Sequence, residues 1–198
     1  MFRSLATSMV AVLLVGPPVR ADEATAVKAL TKLGAKIKRD DKAPGKPVVE
    51  VDLSKGKFKD GDLKELAALE ELRVLSLRGT TVSDKGLKEL AGLTKLERLD
   101  LGFTTIGDEG LKELAPLTKL RNLDLYTTKV TDKGMKELAP LKELRFLNLP
   151  FTGIGDAGLK ELAVLKELQN LDLSGTRVTA AGVKALQKSL PKCKIRTQ

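Results

Sequence analysis

The sequence predicts an α/β solenoid, with a parallel sheet on its concave face, short helices on its convex face and one aliphatic core between them. Three observations carry that expectation. Leu72, Leu96, Leu120, Leu144 and Leu168 stand 24 residues apart. Each opens an L-x-x-L-x-L pattern, as in Leu96/Leu99/Leu101 and Leu120/Leu123/Leu125. Finally, the chain of 198 residues is 42% hydrophobic but only 3% aromatic, so its core must be built from leucine. A fixed period of this length marks a stack of supersecondary units.

Residues 1–21 read as a secretory signal. Arg3 supplies a positive start, and Leu5 to Gly16 is mostly apolar but short of the roughly 20 residues that span a bilayer. Ala21 puts a small residue before Asp22, where cleavage is expected. The mature chain then carries 33 basic and 26 acidic residues, a net charge of +7. It is expected to be exported, periplasmic or secreted, with no membrane insertion after cleavage.

Residues 22–47 read as an N-terminal helix-hairpin cap. Val27, Leu30 and Leu33 have helical spacing, and Gly34 is a helix stop. Ala35 to Arg39 is expected to be a strand, and Pro44-Gly45 a turn. Such a cap protects an open sheet edge.

Residues 48–189 form six repeats, beginning at Val48/Val51/Leu53. In each, the L-x-L pair alternates with polar residues, as a strand with one buried face should. Phe58, Val82, Ile106, Val130, Ile154 and Val178 supply a further buried position. Asp60, Asp84, Asp108, Asp132 and Asp156 sit where helix N-caps are expected. Pro116 and Pro140 limit their helices to about two turns. A helix that short is unstable alone in water, and so is a lone strand, so stacking must supply the stability. Gly86, Gly110, Gly134, Gly158 and Gly182 recur in the first helical turn, where tight packing explains them. Residues 190–198 read as a closing strand, with Leu190/Cys193/Ile195 in the leucine columns.

The repeat LERLDLGFTTIGDEGLKELAPLTK (96–119), followed by LRNLDLYTTKVTDKGMKELAPLKE (120–143), resembles the leucine-rich-repeat family. The match is to its short 24-residue bacterial, planctomycete-type and ribonuclease-inhibitor-like class. The resemblance implies a horseshoe whose concave sheet serves as a binding surface. The broader family carries Asn at the ninth repeat position. This chain has Thr80, Thr104, Thr128, Thr152 and Thr176 there, which predicts a thinner polar ladder on an unchanged fold.

Composition argues against catalysis. The chain has no His and one Cys, which removes the usual base near neutral pH, the histidine-dependent nucleophiles and a cysteine zinc cluster. No catalytic residue, cofactor or metal ligand is assigned. The outward strand column Asp52, Ser76, Asp100, Asp124, Asn148 and Asp172 invites a metal, but calcium needs six to eight oxygen ligands and a flat sheet offers few. The column Lys64, Lys88, Lys112, Lys136, Lys160 and Lys184 is offset by the adjoining Glu65, Glu89, Glu113, Glu137 and Glu161, so a nucleic-acid partner is not expected.

The aromatic residues are more informative. Of five in the mature chain, Phe58 is a core position, whereas Phe103, Tyr126, Phe146 and Phe151 fall in outward columns of consecutive repeats. Aromatic and Arg side chains dominate binding hot spots. The expected protein-binding site is therefore Phe103, Tyr126, Phe146 and Phe151 with Arg98, Arg121, Arg145, Asp100 and Asp124. It would take a protein or peptide on the concave face. Charge gathers at the ends, +3 over 22–47 and +5 over 168–198, against −1 between. The alternative reading is thus a structural or adhesive envelope protein that binds acidic polymers through its basic ends.

Overall fold

The computed structural model describes residues 21–54 and 56–198. All but the last residue of the expected signal segment lies outside them. Among the described residues, eight strands form one sheet in chain order. The N-terminal helix Ala21–Lys32 leads, through Gly34 at φ +97°, into β1 (Lys36–Arg39), which runs antiparallel to β2 (Val48–Asp52). Then β3 (Val74–Ser76), β4 (Arg98–Asp100), β5 (Asn122–Asp124), β6 (Phe146–Asn148), β7 (Asn170–Asp172) and β8 (Lys194–Arg196) continue in parallel.

The register moves in steps of one repeat, pairing Val51 with Leu75, Leu75 with Leu99, and so on to Leu147 with Leu171. The last step corrects the sequence reading. Ile195, not Cys193, pairs with Leu171. The ladder sets this register, because the Lys194 N–H donates to the Gln169 carbonyl and the Leu173 N–H to the Arg196 carbonyl. Cys193 therefore precedes the strand. It is still buried and remains a free thiol.

Between strands, each chain segment crosses the convex side in short helical pieces. Some are 3-10, as in Asp60–Ala68 and Asp132–Leu138; others are α, as in Asp108–Lys112 and Asp156–Glu161. Only the last, Ala180–Ser189, is a longer α-helix. The strand leucines and the helix leucines meet in one core, where residues such as Leu72, Leu77, Leu90 and Leu101 have no exposed surface. Each fully buried leucine contributes roughly 1.5–3 kcal/mol. Val178, in the final repeat, is only half-buried, since no further repeat follows it in the described stack.

Two polar columns organise the repeats. Thr80, Thr104, Thr128, Thr152 and Thr176 each donate Oγ1–H to the carbonyl three residues back, at 2.6–2.7 Å. The hydroxyl thus closes its own repeat's turn. The aspartate column works between repeats, and here the expectation of N-caps is corrected. The N-caps are the preceding residues, Lys59, Ser83, Gly107, Thr131 and Gly155. Each aspartate is the first helical residue and reaches forward to the next repeat's N-cap or its equivalent. Asp60 accepts from the Ser83 N–H and Oγ at 2.7 and 2.6 Å. Asp108 does the same with Thr131, and Asp156 with Thr179. Asp84 and Asp132 accept from the N–H groups of Gly107 and Gly155.

Candidate functional site

The strands present two outward columns to the concave side. One contains Val74, Arg98, Asn122, Phe146, Asn170 and Lys194; the other contains Ser76, Asp100, Asp124, Asn148, Asp172 and Arg196. Together they line an open trough of about 660 Å³. That volume lies within the range of ligand sites.

The carboxylates of this trough are held locally. Asp100, Asp124 and Asp172 each accept from the backbone N–H two residues ahead, on Gly102, Tyr126 and Ser174. This satisfies the turn that ends each strand. Asp124 also accepts from the Asn148 amide at 3.0 Å. Arg78 Nη1 lies 3.5 Å from Asp100 and 3.6 Å from Asp124, and so spans two repeats. Gly102 makes room for it, because a Cβ there would stand 2.6 Å from Arg78 Nη1. Burial raises the Asp100 pKa, and the nearby Asp124 charge adds to the rise against the Gly102 hydrogen bond and Arg78. Among the described residues, no group of three or more His, Cys, Asp or Glu is placed to hold a metal ion.

At the C-terminal ends of the strands the aromatic residues form a ridge. The Phe103 and Tyr126 ring centroids are 4.8 Å apart, and those of Tyr126 and Phe151 are 5.5 Å apart, nearly edge to face. The Arg78 guanidinium carbon lies 4.6 Å from the Phe103 centroid and 5.6 Å from that of Tyr126, within cation–π range. Phe103 and Phe151 remain 48% and 57% exposed.

The backbone beneath the ridge is unusual. Gly79, Phe103, Thr127, Phe151 and Gly175 occupy one repeat position, and all have φ between 52° and 70°. In this left-handed turn the N–H groups of Gly79, Phe103, Thr127 and Phe151 donate across to the next repeat, at 2.8–2.9 Å. The turn extends the interstrand ladder beyond the strands. Glycine accepts the conformation readily, whereas other residues lose roughly 1–2 kcal/mol. Gly175 also lets Phe151 lie flat, since a Cβ there would stand 2.6 Å from the ring.

The residues expected to form one patch are therefore distributed over three places. Phe103, Tyr126 and Phe151 come together on the ridge. Phe146 stands apart on β6, in the trough with Arg98, Asp100 and Asp124. Arg121 and Arg145 precede β5 and β6, at the opposite ends of the strands from the ridge. Arg121 is engaged there by Glu97 at 3.6 Å and Glu143 at 3.2 Å. The ridge's cation is Arg78, which is not among the residues expected to form the site. A signal was present, in that Gly102 replaces a side chain in the column that Arg78 and Tyr126 share.

A family model described as Leucine Rich repeat matches residues 71–91, 92–115, 143–163 and 166–186. Among solved structures, the chain is similar to a leucine-rich-repeat protein of Leptospira interrogans, with 30% identity over 67% of this chain and 33% of that one, and a TM-score of 0.56. It is similar in fold to internalin C2 of Listeria monocytogenes, with 21% identity, coverage of 96% and 88%, and a TM-score of 0.57. For a second Listeria monocytogenes internalin, InlF, the values are 21%, 75% and 47%, and 0.54. The chain thus spans 33% of the Leptospira protein and 47% of InlF. No curated protein matches it in sequence.

Proposed function

We propose that this chain, which belongs to the leucine-rich-repeat family, is an exported binding module that holds a protein or peptide at its concave face and the adjoining aromatic ridge. The family's fold is generally a non-catalytic scaffold for protein–protein interaction, and its function lies in the surface each chain displays. The observation that carries the proposal is the placement of Phe103 and Phe151. Both have exposed rings on left-handed backbone, where two sister repeats use glycine. Only about half of each residue is buried to offset that strain in the free protein. Strained residues of this kind cluster at binding and active sites. Tyr126 and Arg78 complete a rigid group of the residue types that anchor interfaces. The proposed export rests on residues 1–21, through Arg3, the apolar run and Ala21.

The test is affinity capture from the envelope and medium of the source organism. The mature protein is compared with a Phe103→Ala/Tyr126→Ala/Phe151→Ala variant at low and physiological salt. The proposal expects a partner retained by the first and lost by the second at both salts. Capture that ignores the ridge but disappears with salt would instead assign the function to the basic chain ends.

A further inference from the structure

Three side chains at the centre of the trough are exposed or half-buried. Asn122, Phe146 and Asn170 are successive register partners on β5, β6 and β7, so they form one row across the concave face. Phe146 is 42% exposed. The two side-chain amides, half-buried on either side of it, are hydrogen-bonded to none of the described residues. The neighbouring column is different, since Asp124, Asn148 and Asp172 already have hydrogen-bond partners.

An exposed aromatic ring between two free amides is a recognition element, and its spacing selects the ligand. Strands lie about 4.8 Å apart, so the backbones of Asn122 and Asn170 are about 9.6 Å apart, with that of Phe146 midway. A ligand lying across the strands must present like groups at that interval. A polyproline II helix has three residues per turn and rises about 3.1 Å per residue, so it repeats its face every ~9.3 Å. A β-extended peptide repeats its face every ~6.7 Å and matches neither one nor two strand spacings. Polyproline II also has no internal hydrogen bonds, which leaves its carbonyls open to Asn Nδ2–H donors. Its rings dock on aromatic surfaces. The trough's charges balance, with Arg98, Lys194 and Arg196 opposed by Asp100, Asp124 and Asp172, so an uncharged segment fits.

We infer that the trough binds a proline-rich segment in polyproline II conformation, laid across the strands. Carbonyls three residues apart accept from Asn122 and Asn170, and a ring between them packs on Phe146. This rests on the binding-module reading and adds the chemical class of the ligand and a contact site separate from the ridge.

The test is a fluorescence-anisotropy titration with labelled decaproline, beside a decapeptide of alternating Gly and Ser. Decaproline is expected to bind at least about tenfold more tightly, as a preordered segment with docking rings should. Phe146→Ala, and separately Asn122→Ala/Asn170→Ala, should each weaken it about fivefold or more, the loss expected of an interface anchor. Lys88→Ala, on the convex side and outside the trough, should leave it unchanged. Circular dichroism confirms that each variant is folded, and a misfolded Phe146→Ala is replaced by Phe146→Leu. Equal affinity for the two peptides overturns the inference, as does decaproline binding that is indifferent to Phe146 and the asparagines. Chitohexaose binding that is lost in Phe146→Ala, with no decaproline binding, would overturn it in favour of a glycan site. The ridge-dependent capture described above is read independently, so decaproline can fail while the binding-module proposal stands.

Discussion

Asp132 Oδ1 accepts a hydrogen bond from the Gly158 N–H of the next repeat at 3.0 Å, and a Cβ on Gly158 would stand 2.6 Å from that oxygen. The aspartate and glycine columns are thus two halves of one joint. The carboxylate sits at the positive end of the following helix, and the missing side chain lets it approach. A Cβ on Gly86, Gly110 or Gly134 would likewise stand 2.5–2.6 Å from Oδ1 of Asp60, Asp84 or Asp108.

This joint predicts which glycines tolerate change. Gly158→Ala pushes the carboxylate from its donors and should cost about 1–3 kcal/mol, the scale of a disturbed charged hydrogen bond. Gly61→Ala, on a helical segment with nothing within 4 Å of the added Cβ, should instead stabilise by about 0.5–1 kcal/mol. Urea denaturation of the two variants checks the opposite signs.

Asp156 gives the joint a pH dependence. Its pKa is lowered from 3.8, first by the Thr179 hydroxyl and then by the Thr179 N–H. A depressed carboxyl pKa adds stability above the unfolded-state value, and that stability is lost as pH falls through the folded value. The gap in urea midpoint between the native protein and Asp156→Asn should therefore be full at pH 5–7 and shrink below about pH 4.

Asp100 carries the opposite sign. Its raised pKa means that its contribution is present when it is protonated and is lost as pH rises through the folded value. Asp100→Asn keeps an acceptor for the Gly102 N–H and removes the half-buried charge. It should leave stability at pH 7 unchanged or slightly higher, and the two proteins should converge near pH 3. Thermal melts across that range decide it.

Cys193 should be chemically silent in the folded protein. It is 4% exposed, and burial raises its pKa to about 11. The thiolate is the reactive form, so at pH 8 the native protein should resist a thiol reagent that labels it in urea. Labelling at the same rate in both states would contradict the burial.

Much of the fold was legible because its rules repeat locally. The L-x-x-L-x-L spacing alone places Leu75, Leu99, Leu123 and Leu147 in register. Less legible were interactions a full repeat away. Nothing near Asp108 shows that its carboxylate serves Thr131, so the residue resembles an ordinary N-cap. The closing strand misled for a related reason. The last helix runs to Ser189, and the shortened turn after it places Ile195 opposite Leu171 where the apolar pattern favoured Cys193. In the candidate site, outward columns identified the aromatic residues but not their grouping. The left-handed turn separates Phe103 and Phe151, at the strand ends, from Phe146 within a strand. Gly79 and Gly175, in register with the phenylalanines, were the visible trace of that turn.

The most direct measurement is a thermal melt paired with partner capture for Phe103→Gly/Phe151→Gly. If the two rings serve recognition, glycine relieves the left-handed backbone at the cost of modest ring contacts. Stability should then stay within about 1 kcal/mol of the native protein while capture is lost. A variant that melts several degrees lower yet keeps its partner would show the ridge to be structural and would contradict the account.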